Sequence, residues 1–415
     1  MSRCSGYYTP MHARMLVMTL YRKSFIGIGT LFLLAALVYG YSVFFTVRES
    51  DETSVTVGAC APGQKISCWL EEITQALDAG GLAAAFDTVA VLYESDSAFA
   101  ADCHSFTHEL GEAAYEKFSR GDELDITTKT SYCGYGFYHG FMETLLQTSG
   151  DIAEARQFCA YVDAKLSRER SGAATACYHG MGHGTVDGSD PRTWGSAEKM
   201  IAPGIEICKR VAETEFQEYL CATGVFNSIE VLARDKKYGI SNLLEDPFQL
   251  CHNQPALYRE PCYTNMIPAV FALAGGNFSK AAQYVEDNIQ HADDFTIDGY
   301  TIREMVVLSV FHEFARGNID TVDYAERGMA LCRSVPEHSR LACVEGIADG
   351  HMKYGKPGAE YIKVFSFCAD DELRADEKNI CYKHILTRLS IWYSKDEQKD
   401  ICNRVPMIYQ KYCPL

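Results

Sequence analysis

The chain has 415 residues, 47% of them apolar, and a formal net charge of −17. That length and apolar content suffice for one large core or two domains. The acidic balance excludes nucleic acid as a partner, because basic side chains drive that binding by displacing phosphate counterions.

The charge is uneven. Residues 1–50 carry +4 and the remaining 365 carry −21. Residues 1–24 read as a cytoplasmic tail with Arg14, Arg22 and Lys23 near its end. Residues 25–46, FIGIGTLFLLAALVYGYSVFFT, contain no charge. As a helix they span about 33 Å, enough for a bilayer core of about 30 Å. The run is longer than the apolar region of a signal peptide, and no A-x-A cleavage site follows. It reads as an uncleaved transmembrane signal anchor and gives the chain a membrane partner. The basic residues before it place the N-terminus in the cytoplasm and the rest outside, in a periplasmic, lumenal or extracellular space. Residues 47–65 form a polar stalk.

Sixteen of the 17 cysteines follow the anchor, as expected of a disulfide-rich domain in an oxidising compartment. No C-x-x-C occurs, which excludes zinc-finger and iron–sulfur spacings. One series, Cys133, Cys177, Cys221, Cys262, Cys343, Cys381 and Cys413, advances by 44, 44, 41, 81, 38 and 32 residues. The interval of 81 is near twice 40, so one unit lacks its cysteines. VFALAGGN (270–277) and FHEFARGN (311–318) match at an offset of 41 and locate that unit. A second series precedes the first. Local pairing predicts six bridges: Cys159–Cys177, Cys208–Cys221, Cys251–Cys262, Cys332–Cys343, Cys368–Cys381 and Cys402–Cys413. Cys60, Cys68, Cys103 and Cys133 allow three connectivities; 60–68 with 103–133 is favoured.

The local signals are helical, and alternating strand patterns are scarce. Residues 66–100 predict two helices joined at Gly80-Gly81. Gly-Asp or Gly-Asn pairs at Gly121, Gly150, Gly276 and Gly317 predict the end of one helix and the cap of the next. Each unit is expected to be a helix ending near one cysteine, a loop, and a helix starting near its partner. The fold class is therefore all-α: one transmembrane helix, then a disulfide-stapled αα-hairpin ectodomain with a His-rich region at 66–190 and Cys-paired units at 191–415. Segments such as GNFSKAAQYVEDN and GNIDTVDYAERGM resemble the first helix of tetratricopeptide or Sel1-type αα repeats. The resemblance covers residues 150–415 and departs from those families in its disulfides. It implies a stacked α-solenoid with a groove able to hold a protein partner, and no chemistry.

The chemistry-bearing residues lie between Cys103 and His183. His104, His108 and Glu112 follow one another at helical spacing, His139 stands four before Glu143, and His179 stands four before His183, with Asp187 four further on. Three helices would each present imidazole and carboxylate on one face. Such donors suit a transition metal ion: zinc, iron or copper. His139 and His183 each lie six residues after their cysteine. At that position the later units have Asn227, Pro268, Asp349 and Thr387, which argues for a localised site. The predicted metal ligands are His104, His108, His139, His179, His183, Glu112 and Glu143. An open coordination position would permit metal-dependent hydrolysis or redox chemistry. Two other readings compete: histidines that only decorate helix faces, and a non-enzymatic scaffold for protein–protein interaction. H-E-x-x-H, G-x-S-x-G, P-loop and dinucleotide fingerprints are absent, as is the C-x-x-C-H of c-type haem.

Overall fold

Helices account for nearly all regular structure in the computed structural model, which describes residues 60–61, 63–166, 170–297, 299–318 and 321–414. These residues fall within one compact unit, Val57–Leu415. The proposed anchor at 25–46 lies outside the described residues.

Helix α1 (Lys65–Ser95) is broken at Gly81, whose φ of 70° separates the two expected halves. It is long and apolar enough to cross a membrane by length and composition. It nevertheless buries Trp69, Ile73, Leu77, Phe86 and Val89 and packs on α2 (Ser97–Ser119). A bent helix with those side chains covered is a core helix.

The remaining long helices are α3 (Gly136–Ser149), α4 (Ile152–Leu166), α5 (Gly172–Gly184), α6 (Ala197–Val211) and α7 (Glu215–Ala233). They continue with α8 (Gln249–His252), α9 (Ala256–Asn265), α10 (Ile267–Leu273), α11 (Phe278–Asn288) and α12 (Ile302–Asn318). The last are α13 (Tyr324–Arg333), α14 (Arg340–Tyr354), α15 (Tyr361–Ala369), α16 (Ala375–Thr387), α17 (Leu389–Trp392) and α18 (Lys395–Asn403). The six expected cysteine pairs are disulfide-bonded, as are Cys60–Cys68 and Cys103–Cys133. Five of them join a helix to the one that follows it: α4 to α5, α6 to α7, α8 to α9, α13 to α14 and α15 to α16. The pair α11/α12 contains no cysteine; it is held by Phe278, which packs edge-on against Phe314 with ring centres 5.8 Å apart.

Local chemistry explains the boundaries. Gly150 ends α3 in the left-handed conformation, and Asp151 Oδ1 then accepts from the backbone N–H groups of Ala153 and Glu154. Gly276 and Asn277 do the same before α11. Gly317 departs from the expectation: it lacks a positive φ and stays inside α12.

Helix α2 packs on α3, and alternate helices pack on one another: α3 on α5, α5 on α7, α7 on α9, and α12 on α14. The approach is close because glycine stands at the crossings. A Cβ on Gly140 would lie 1.9 Å from His108 O, and one on Gly224 would lie 1.9 Å from His179 O.

The chain also folds back on its beginning. Ser171 N donates to Ser390 O at 2.8 Å, and Arg170 reaches the Trp392 carbonyl and Glu397. Arg316 pairs with Asp102 at 2.9 Å, and Tyr93 OH donates to Tyr354 O at 2.7 Å. Helices α12 and α14 therefore meet α2. Near this closure Glu360 is buried, with Tyr393 OH and Gly358 N as donors. Burial pushes its carboxyl from 4.5 up to about 7. Between those values the folded chain holds a proton that the unfolded chain releases, so stability falls as pH rises through the window. Glu360→Gln is expected to remove that slope, worth up to about 3 kcal/mol, in denaturant unfolding compared at pH 5 and pH 8.

Candidate metal centre

Helices α2, α3 and α5 bring all five early histidines together. The ring centres of His104 and His139 are 4.9 Å apart, those of His139 and His179 4.6 Å, and those of His139 and His183 5.2 Å. One ring nitrogen from each of His139, His179 and His183 lies within 4.8 Å of the others. His139 and His183 are buried. The glycine crossings bring the rings this near: Gly136 rests on His104 O, Gly140 on His108 O, and Gly180 on Tyr138 O.

The carboxylates sit at one edge. His108 contacts Glu112 through Nδ1 and Glu143 through Nε2, each at 3.2 Å. Glu143 lies 4.0 Å from His183 Nδ1. Burial works against a charged His108, but its bonds to Glu112 and Glu143 outweigh burial and raise it to about 9. Burial pushes the Glu143 carboxyl up, yet His108 and His183 hold it below its ordinary value. Burial disfavours the charged form of the other four imidazoles. Burial pushes His104, His139 and His183 well below their ordinary value, and His179 to about 3.

A carbonyl partner places two of the ring protons. A carbonyl only accepts, so His104 Nδ1–H donates to Cys133 O at 2.9 Å and its Nε2 is a lone pair. His139 Nδ1–H donates to that nitrogen at 3.2 Å, which leaves His139 Nε2 unprotonated. Thr223 Oγ1 donates to Leu220 O at 2.6 Å and lies 2.5 Å from His179 Nδ1. Ser228 Oγ lies 3.2 Å from both His183 O and His183 Nδ1. Nε2 of His179 and Nε2 of His183 face each other at 3.2 Å, a separation at which an N–H on one would donate to the other.

Asp187 does not join the group. Helix α5 ends at Gly184, and Asp187 instead accepts from Ser189 N at 2.8 Å. Two glycines in HGMGHG nonetheless remain helical, because Gly180 and Gly182 are where neighbouring backbones touch.

The orienting hydroxyls Thr223 and Ser228 were not anticipated, and neither was a second histidine–carboxylate group. In it His312 Nδ1–H donates to Asp349 at 2.9 Å, and His384 donates to Asp349 at 3.0 Å and to Glu345 at 3.2 Å. Burial opposes charge on Asp349, but the two histidines hold its carboxyl well below the usual range. Gly346 and Gly350 rest on Leu308 O and His312 O as Gly136 and Gly140 rest on His104 O and His108 O. They stand three and seven residues after Cys343, as the other two stand after Cys133. That shared spacing was the available signal. Here carboxylates and imidazoles satisfy one another, whereas in the first group imidazole nitrogens of His179 and His183 face each other.

No protein-family model, curated protein or solved structure matches this chain.

Proposed function

We propose that this chain is a membrane-anchored, extracytoplasmic metal-binding protein whose centre is formed by His139, His179 and His183. His104, His108 and Glu143 border it. The observation that carries this reading is that a ring nitrogen from each of His139, His179 and His183 lies within 4.8 Å of the others, with Nε2 of His179 and Nε2 of His183 3.2 Å apart. Burial disfavours the protonated rings, which keeps them as neutral imidazole donors. Nitrogens bound to zinc at about 2.0–2.1 Å in a tetrahedron are about 3.3–3.4 Å apart, close to the observed separation. Neutral imidazole suits zinc, copper or iron.

Each ring's far nitrogen is held by a hydrogen-bond partner, as metal-binding histidines commonly are. Thr223 and Ser228 fix the rings through Nδ1 and aim Nε2 inward. Three protein nitrogens leave a fourth position for water or an exogenous ligand, the arrangement found in catalytic zinc sites. The anchor rests on the charge-free stretch 25–46, and the compartment on the many disulfides. The backfolding of the last helices onto the first weighs against an open protein-binding groove.

The test is metal analysis and zinc or cobalt titration of the purified, oxidised full-length protein. Folded protein that takes up no metal overturns the reading. Thr223→Val removes the hydroxyl that holds His179 Nδ1. It is expected to weaken metal binding by about 10–100-fold, measured by competition with a chromophoric chelator.

A further inference from the structure

Both nitrogens of His104 are already committed. Nδ1–H donates to Cys133 O at 2.9 Å, and Nε2 accepts from His139 Nδ1–H at 3.2 Å. A ring engaged at both nitrogens has no lone pair left for a metal ion. It does hold its neighbour in one tautomer. With the proton of His139 on Nδ1, the nitrogen that remains for the ion is Nε2.

The carbonyl that starts this relay is placed by the backbone. Cys133, Gly134 and Tyr135 have φ of 55°, 68° and 64° in succession. Two of the three are not glycine, and a left-handed conformation is strained for them. The Cys103–Cys133 disulfide ties this turn to α2, one residue before His104. Gly136 then seats α3 on His104 O. Turn, disulfide and crossing together set where Cys133 O, His104 and His139 lie.

The chain supplies its own comparison. Gly346 rests on Leu308 O as Gly136 rests on His104 O, so Leu308 holds the place of His104. Asp349 follows Cys343 by six residues as His139 follows Cys133. In the second group Asp349 takes its hydrogen bonds from His312 and His384, and the side chain in the place of His104 can neither donate nor accept. The acceptor is present beside the histidine that has a proton to place.

We infer that His104 is a positioning residue and not a ligand: the relay from Cys133 O through His104 holds His139 with Nε2 free for the metal ion. This inference rests on the metal-binding reading and adds to it how one of the three rings is set.

Glutamine can reproduce both bonds, its amide N–H donating to Cys133 O and its oxygen accepting from His139, whereas leucine can make neither. Leucine is also what the second group carries at the equivalent crossing. Cobalt(II) affinity and the visible cobalt spectrum are measured on full-length protein carrying His104→Leu or His104→Gln. His104→Leu is expected to bind cobalt about 10–100-fold more weakly and to change the spectrum, with His104→Gln restoring most of both. Wild-type affinity and spectrum in His104→Leu overturn the inference. So does His104→Gln as weak as His104→Leu, because His104 would then be a ligand itself. The relay is also read without metal and without a variant. Proton–nitrogen correlation spectra of the metal-free wild type are expected to show His139 protonated on Nδ1, and a proton on Nε2 overturns the inference even if His104→Leu fails to fold. No cobalt uptake by the wild type, with the Nδ1 proton in place, overturns the metal-binding reading and not the relay.

Discussion

The double variant His179→Ala/His183→Ala is expected to lose metal binding while keeping the fold. Both rings present Nε2 toward one point, 3.2 Å from each other. Protein-bound structural zinc is worth about 10–16 kcal/mol over four ligands, so each imidazole contributes roughly 3 kcal/mol, a factor of more than 100 in affinity. Removing two is expected to weaken zinc by about 10⁴-fold. His338→Ala is the matched control, since that ring pairs with Glu286 at 3.0 Å on an exposed surface away from the cluster. Competition titration gives both affinities, and circular dichroism checks the helices. Unchanged zinc affinity in the double variant would mean that these rings only fill space between helices.

The second large effect is steric. Gly224→Ala places a methyl group 1.9 Å from His179 O and 2.8 Å from His183 N, both backbone atoms. Neither can move without separating α5 from α7. Overpacking of this kind costs about 1–3 kcal/mol, occasionally more, and this contact belongs at the upper end. Because Thr223 moves with α7, the hydrogen bond that orients His179 is lost too. A lower thermal midpoint and a weaker metal affinity are expected together. Gly317→Ala is the opposite case. Nothing lies within 4 Å of its added Cβ, and its backbone is helical. Alanine there is expected to be neutral or stabilising by about 0.5–1 kcal/mol. Equal effects of the two substitutions in thermal unfolding would remove the crossing argument.

The helical architecture was legible because its signals are local. Capping pairs such as Gly150-Asp151 and Gly276-Asn277 act over a few residues, and cysteines 11–18 apart can meet across one hairpin. Gly317 misled because glycine permits the left-handed conformation without requiring it. Asp187 misled for a related reason: helical spacing was extended beyond Gly184, where the helix stops.

For the candidate site, residue type and spacing along the chain singled out five histidines, Glu112 and Glu143, which the fold brings near one another. A helix places residues four apart on one face whatever surrounds it. Spacing carries no information about which faces meet or which groups hold the rings. Those follow from partners far along the chain: Thr223 for His179, Ser228 for His183, and Cys133 O for His104. The return of α14 to α2 likewise joins segments some 250 residues apart. Helix periodicity is local physics and can be read from the chain. The meeting of imidazole nitrogens from different helices arises from packing and exists only once the helices have closed.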